Sequence, residues 1–234
     1  LSIRRQRQMC IRDRKKEDVI AYSLHVRGFT AHASSNVSAR GTYAGIVEKI
    51  PYLKDLGITA VELMPVTEFD EVMMSSSGNG FHDAKPEPTG YINYWGYGPS
   101  YLYTVKSAYA SHGEMSAESE FKTLVKELHR AGIECIPELY FNGKELPGEI
   151  VSVLRYWVEE YHVVGFHLLG FPNLLLAAED PFLKRTKLFA ENWNEVMDRR
   201  PKKGYITPGD GPVSVAEKNL AEYNMQFMDC LLYT

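Results

Sequence analysis

The sequence predicts an α/β fold, an incomplete (β/α)8 TIM barrel holding the first five to six βα units. Three observations predict it. Short apolar runs of strand character alternate with helical periodicity along the chain, the pattern of a parallel sheet. The glycine-rich turn that opens a dinucleotide-binding fold is absent. At 234 residues the chain also falls short of the roughly 250 that such a barrel needs.

The elements follow in order. Residues 19–26 read as a first strand. Residues 43–56 set Ile46, Ile50, Leu53 and Leu56 at helical spacing, and Gly57 follows as a stop signal. Pro51 weakens that helix or marks a break in it. Residues 59–64 form a second strand closed by Pro65. The stretch 66–112 has no period and far exceeds the typical ~2–6 residue βα loop, a length usual for functional or disordered segments. Its first half, 74–88, reads as mobile. Its second half, 91–109, gathers Tyr91, Tyr94, Trp95, Tyr97, Tyr101, Tyr103 and Tyr109 into an aromatic surface.

Ser116 is the expected N-cap of a helix through Ala131, with Phe121, Leu124, Val125 and Leu128 inward and Gly132 ending it. A third strand is expected over 133–141, a helix over 150–161 and a fourth strand over 163–169. A short helix over 174–180 and a fifth strand over 187–190 follow. A sixth strand falls at 213–216 or 220–223.

Composition bounds the function. With 44% hydrophobic and 24% charged residues the chain is an ordinary globular one, of one domain or two small ones. No run of eighteen apolar residues exists, which excludes a membrane-spanning helix, and no secretory signal opens the chain. The net charge of −4 hides an asymmetry: residues 1–16 carry +6, so the remainder carries −10. Such a basic arm would ordinarily be weighed as a nucleic-acid or acidic-lipid tether. The runs QMCIRDR at 8–14 and CLLYT at 230–234, however, resemble translated sequencing-adapter read-through. Residues 1–14 and 230–234 are therefore set aside as non-native ends, and neither nucleic acid nor membrane is expected as a partner. Cys10 and Cys230 fall in those ends, leaving Cys135 inside an apolar run. A single core thiol offers no disulfide and no zinc spacing, so a reducing cytoplasm is expected, with no metal and no cofactor.

In a barrel of this kind reactive side chains sit at the C-terminal ends of the strands. Those positions are Glu138 and Asn142 after the third strand, His167 and Leu169 on the fourth, and Glu191 after the fifth. Rim carboxylates beside an aromatic loop suit glycoside hydrolysis, which needs an acid facing a nucleophile or base. A strand-end glutamate also serves commonly as a solvated or ion-paired rim residue, and an aromatic cluster as core or interface.

Three segments then carry a resemblance: YSLHVRGFT (22–30), GTYAGIVEKIPYLKDLGITAVELMPVTEFDE (41–71) and NYWGYGPSYLYTVKSAYAS (93–111). They resemble the α-amylase family of glycoside hydrolases (family 13), within it the isoamylase and bacterial glycogen-debranching branch. The resemblance runs from about 19 to 227 and implies that residues 15–229 are part of a (β/α)8 catalytic domain with a long aromatic loop at 66–112. It implies an α-glucan such as glycogen as partner and hydrolysis at α-1,6 branch points. Tyr97 falls where the family stacks an aromatic on the sugar, with Trp95 and Tyr94 beside it. Glu191 falls at the acid/base position and Trp193 at its neighbouring tryptophan. Asn142 matches the third-strand motif, but Glu138 stands for its aspartate and Gly143 for its histidine. In the fourth-strand motif His167 replaces the arginine and Leu169 the nucleophilic aspartate. Leucine cannot form the covalent glycosyl intermediate of a retaining mechanism. The expectation is thus a fragment of a debranching hydrolase, inactive in this copy. The alternative is a non-catalytic glucan-binding pseudoenzyme or scaffold domain. No feature of the sequence specifies an oligomeric state.

Overall fold

A computed structural model describes residues 14–74, 88–111, 115–170, 174–190 and 219–222. Strand β1 (Ala21–Leu24) leads into helices α1 (Val26–Thr30), α2 (Tyr43–Glu48) and α3 (Ile50–Asp55), which return the chain to β2 (Ala60–Leu63). The next connection holds four short strands, β3 (Thr67–Phe69), β4 (Val72–Met74), β5 (Pro88–Ile92) and β6 (Ser100–Val105). Then come α4 (Ala117–Arg130), β7 (Glu134–Tyr140), α5 (Pro147–Tyr161), β8 (Gly165–Leu169), α6 (Leu174–Ala178), β9 (Lys187–Ala190) and β10 (Leu220–Glu222).

Six of the strands form one parallel sheet in the order β1-β2-β7-β8-β9-β10. Spatial order therefore follows chain order without reversal. That is the winding of a (β/α) barrel, whereas a doubly wound sheet switches direction partway.

Local chemistry explains the helices. The Thr42 side chain caps α2 and the Ser116 side chain caps α4, each accepting a backbone N–H bond three residues on. Glu118 and Glu120 occupy the first turn of α4, with His129 and Arg130 in its last turn, so both ends complement the helix dipole. Pro51 marks a break: the expected single helix divides at Lys49 into α2 and α3, with Pro51 in the first turn of the second.

Alternation along each strand sorts the side chains into two faces. One face joins the helices: Leu24, Val61, Leu63, Cys135, Leu139, Phe166, Leu168 and Leu188 all belong to the hydrophobic core. Burial pushes the Cys135 thiol up to about 12, so it packs as an apolar residue and is no nucleophile. Aromatic edges knit this layer together, with Phe121 meeting Tyr43, Tyr161 and Trp157 at centroid distances of 5.3, 5.1 and 5.6 Å.

The opposite face carries charge. Glu134 and Lys187 are both buried there, with Lys187 Nζ 2.8 Å from Glu134 Oε1. Burial raises the Glu134 pKa, and the Lys187 ammonium works against that rise. Arg14, last residue of the segment set aside from the sequence, lies 3.8 Å from the same carboxylate and donates to the carbonyls of Thr59 (2.7 Å) and Gly132 (3.0 Å).

Two sequence expectations need correction. The region 66–112 is not one structureless loop. Within it β3 pairs antiparallel with β6, and β4 with β5, because period-2 runs this short are masked by the turns between them. Nor is Tyr109 part of an aromatic surface; it is fully buried against Tyr43, ring centroids 5.9 Å apart. Most of the expected mobile half, and the alternative sixth strand at 213–216, lie outside the described residues. Among the described residues the sixth strand of the parallel sheet is β10, matching the second alternative.

Removing one member of a buried ion pair strands the other, at a cost of about 3–5 kcal/mol. Lys187→Met is expected to lower unfolding free energy by that amount in urea titration. The double variant Glu134→Gln/Lys187→Met should recover most of the loss, and no recovery would mean that packing rather than charge sets the cost.

Candidate active site at the C-terminal ends of the strands

The long second connection is held over the sheet by a few specific bonds. Lys106 is buried; its Nζ lies 2.7 Å from both Glu68 Oε1 and the Phe69 carbonyl, and 4.3 Å from the Phe69 ring centre. Arg27 pairs with Glu71 at 2.9 Å, tying the start of α1 to the same segment. Trp157 on α5 donates its indole N–H to the Leu102 carbonyl of β6 at 2.7 Å.

His25, directly after β1, is the joint between this connection and the sheet. Its Nδ1 accepts the Gly28 N–H at 3.0 Å and so caps α1. The ring proton therefore sits on Nε2, which lies 2.9 Å from the Tyr94 carbonyl and 3.0 Å from the Tyr109 hydroxyl. Tyr94 stacks on the imidazole at 4.5 Å and 17°, and Trp95 meets its edge at 5.7 Å. Burial lowers the His25 pKa; the bond to the Tyr94 carbonyl opposes this and the Arg27 charge reinforces it.

From that joint the chain presents its aromatics. Gly96 has φ +84, and a Cβ there would come within 2.6 Å of Phe69, so only glycine permits this turn. On either side Trp95 and Tyr97 stand 52% and 39% exposed. Tyr97 packs edge-to-face on Tyr140 at 5.9 Å, and Tyr140, the last residue of β7, is the register partner of Leu169 at the end of β8. Tyr97 and Leu169 thus each neighbour Tyr140 at the strand ends, all three partly open to solvent.

The remaining expected residues separate into three groups. Asn142 is exposed in the turn after β7, its Oδ1 accepting the Lys144 N–H at 2.9 Å. Gly143 follows at φ +81, a left-handed conformation in which a side chain is strained. Glu138 and His167 are not at the rim: they are register partners inside β7 and β8, both buried, one layer below Tyr140 and Leu169. Glu191 and Trp193 lie outside the described residues, Glu191 being next in the chain after β9 ends at Ala190.

Sequence reasoning passed over Glu62, Tyr140 and His25. Glu62 is buried on β2, with its Oε1 3.3 Å from His167 Nδ1. A lone carboxylate inside the apolar run TAVELMPV was the available signal, because a strand covered on both faces has no solvated side to receive it.

Comparison with known proteins agrees with this arrangement. The model of the α-amylase catalytic domain matches residues 27–145. The chain belongs to the α-amylase family. Isoamylase 3 of Oryza sativa subsp. japonica, a chloroplastic protein, is 32% identical over 247 residues, covering 76% of this chain and 30% of that protein. A GlgX homologue, a glycogen operon protein of Haemophilus influenzae, is 30% identical over 240 residues, covering 76% and 34%. The chain thus spans about a third of the length of the curated relatives it matches. Among solved structures, pullulanase type I from Bacillus subtilis complexed with maltose aligns with a TM-score of 0.63 at 20% identity, covering 92% of this chain and 36% of that one. That likeness supports the (β/α)8 fold alone. Among the described residues, no helix of this family member is long and apolar enough to cross a membrane.

Because burial disfavours the charged imidazole and the nearby Arg27 adds to this, against the bond to the Tyr94 carbonyl, the folded pKa of His25 lies below the unfolded value near 6.5. The unfolded chain takes up this proton first as pH falls. Stability is therefore full above about pH 6.5 and declines below it, through the folded pKa. In His25→Asn, which keeps an N-cap acceptor, thermal melts between pH 7 and 5 should show a shallower decline than wild type. Equal slopes would remove His25 from the account.

Proposed function

We propose that this chain is part of the barrel of a debranching-type α-glucan protein, binding glucan at the aromatic rim without carrying out retaining hydrolysis. Leu169 carries the reading. The retaining mechanism places a carboxylate about 5–5.5 Å from the acid to trap the sugar's anomeric carbon. Leu169 occupies the end of β8 at the position that the family resemblance gives to that carboxylate, and it has no lone pair to offer. Its nearest inward neighbours on the same faces, Glu138 and His167, are buried a layer below. Glu138 as a longer arm for the lost aspartate, His167 for the arginine and Gly143 for the rim histidine make this a site altered at several positions together.

Binding rests on different atoms. Tyr97, Trp95 and Tyr94 form a partly exposed aromatic ledge beside Tyr140, suited to the apolar faces of glucose rings. The relatives named isoamylase and glycogen operon protein support an α-glucan with α-1,6 branches as the ligand. The proposal extends to a piece of a longer polypeptide acting in glycogen metabolism in the cytoplasm, with residues 1–14 and 230–234 as added ends.

A second reading, a working hydrolase, is favoured by Glu191 at the acid/base position. The two part on turnover. Wild-type protein is expected to release no reducing ends from glycogen or pullulan above the Glu191→Gln background, while glycogen retards it in affinity electrophoresis. Tyr97→Ala should weaken that retardation about tenfold, the equivalent of ~1.4 kcal/mol of stacking. Turnover above background would establish the hydrolase reading, and loss of both turnover and retardation would end both.

A further inference from the structure

One buried cluster on the inward face has no part in the glucan-binding ledge. Glu62 on β2, Glu138 on β7 and His167 on β8 come from three adjacent parallel strands. Each offers one ligand atom, and the three atoms lie within 4.8 Å of one another. The residues are 5%, 3% and 5% exposed, and His167 Nδ1 stands 3.3 Å from Glu62 Oε1. The backbone beneath them is fixed by ladder pairing, with Glu138 opposite His167 and Glu62 opposite Ile136.

We propose that Glu62, Glu138 and His167 form a binding site for a divalent transition-metal cation. Carboxylates buried this close to an imidazole lose hydration, a cost that coordination to a shared dication offsets. The donor set decides the class of ion. Two carboxylate oxygens with one imidazole nitrogen suit manganese, iron or zinc better than calcium or magnesium, which favour oxygen alone. Metal–ligand distances near 2.0–2.2 Å bring donors roughly 3–3.5 Å apart, so modest side-chain rotation from the present spacing completes the set. Three protein ligands also leave coordination positions open. The next residues outward on β7 and β8 are Tyr140 and Leu169.

The site makes chemical sense of His167. The resemblance puts an arginine at this position, and its guanidinium would itself supply positive charge beside two carboxylates. With imidazole in its place, a bound dication supplies that charge. The proposal does not depend on glucan binding and can fail or stand independently of it.

Manganese is the better first probe, because cysteine thiols compete for zinc and hardly at all for Mn2+. The 234-residue chain, stripped with chelator, is titrated with Mn2+ and free ion followed by electron paramagnetic resonance. One saturable ion per chain is expected, with pulsed spectra of the loaded wild type showing the hyperfine signature of a single imidazole nitrogen. Glu138→Gln and Glu62→Gln should each weaken binding at least about tenfold, a loss that even outer-shell changes produce. Glu127→Gln on the outer face of α4 should leave binding unchanged. Absence of a stoichiometric site, or of the nitrogen signature in wild type, overturns the proposal whether or not the variants fold. So does undiminished binding in a folded Glu62→Gln/Glu138→Gln double variant, verified by circular dichroism.

Discussion

The inward face of the parallel sheet constrains everything else in this protein. Strand geometry sends every second side chain toward the sheet's interior, and this chain places ionisable groups there: Glu134 paired with Lys187, and Glu62, Glu138 and His167 with ligand atoms within 4.8 Å of one another. Buried charge is tolerable only when compensated within hydrogen-bonding distance. The Lys187–Glu134 pair meets that demand at 2.8 Å across non-adjacent strands, and so ties β7 to β9 through β8. The helix-facing strand residues Leu24, Val61, Leu63, Cys135, Leu139, Phe166, Leu168 and Leu188 are packed as apolar core.

On that base the second connection becomes a built surface. Its short strands could not stand alone, since isolated two-stranded ladders are marginal in water. They are fixed instead by a buried lysine bridging Glu68 and the Phe69 carbonyl, an indole bond from α5 to Leu102, and the imidazole joint at His25. Gly96 then allows the close turn that sets Trp95 and Tyr97 outward while Tyr94 stays stacked on His25. The aromatic ledge is thus positioned by polar contacts behind it.

The chemistry of the strand ends follows from one position. The sheet is held by hydrophobic patterning and by parallel strand pairing, neither of which needs a charged group at the end of β8. Leu169 fits there without disturbing the sheet: it pairs with Tyr140 in the ordinary register. Membership of the α-amylase family fixes the scaffold and not the chemistry at its strand ends, because one scaffold hosts many sites.

Sequence by itself determined the order of the parallel strands and the helices between them, the cap at Ser116 and the burial of Cys135, and it offered a break at Pro51 as one of two readings, because each is written in local periodicity or backbone chemistry. It also identified the rim residues Tyr97, Asn142 and Leu169. Tertiary structure alone decided what stands beside what. Glu62 joins Glu138 and His167 only because three strands far apart in the chain lie side by side, and no spacing rule spans such separations. The short ladders inside 66–112 were illegible for the same reason, since a three-residue strand has too little period to detect until its partner is known. Tyr109 went inward while Tyr97 stayed out, a difference set by the packing of Tyr43 and His25 around one ring and of Tyr140 beside the other.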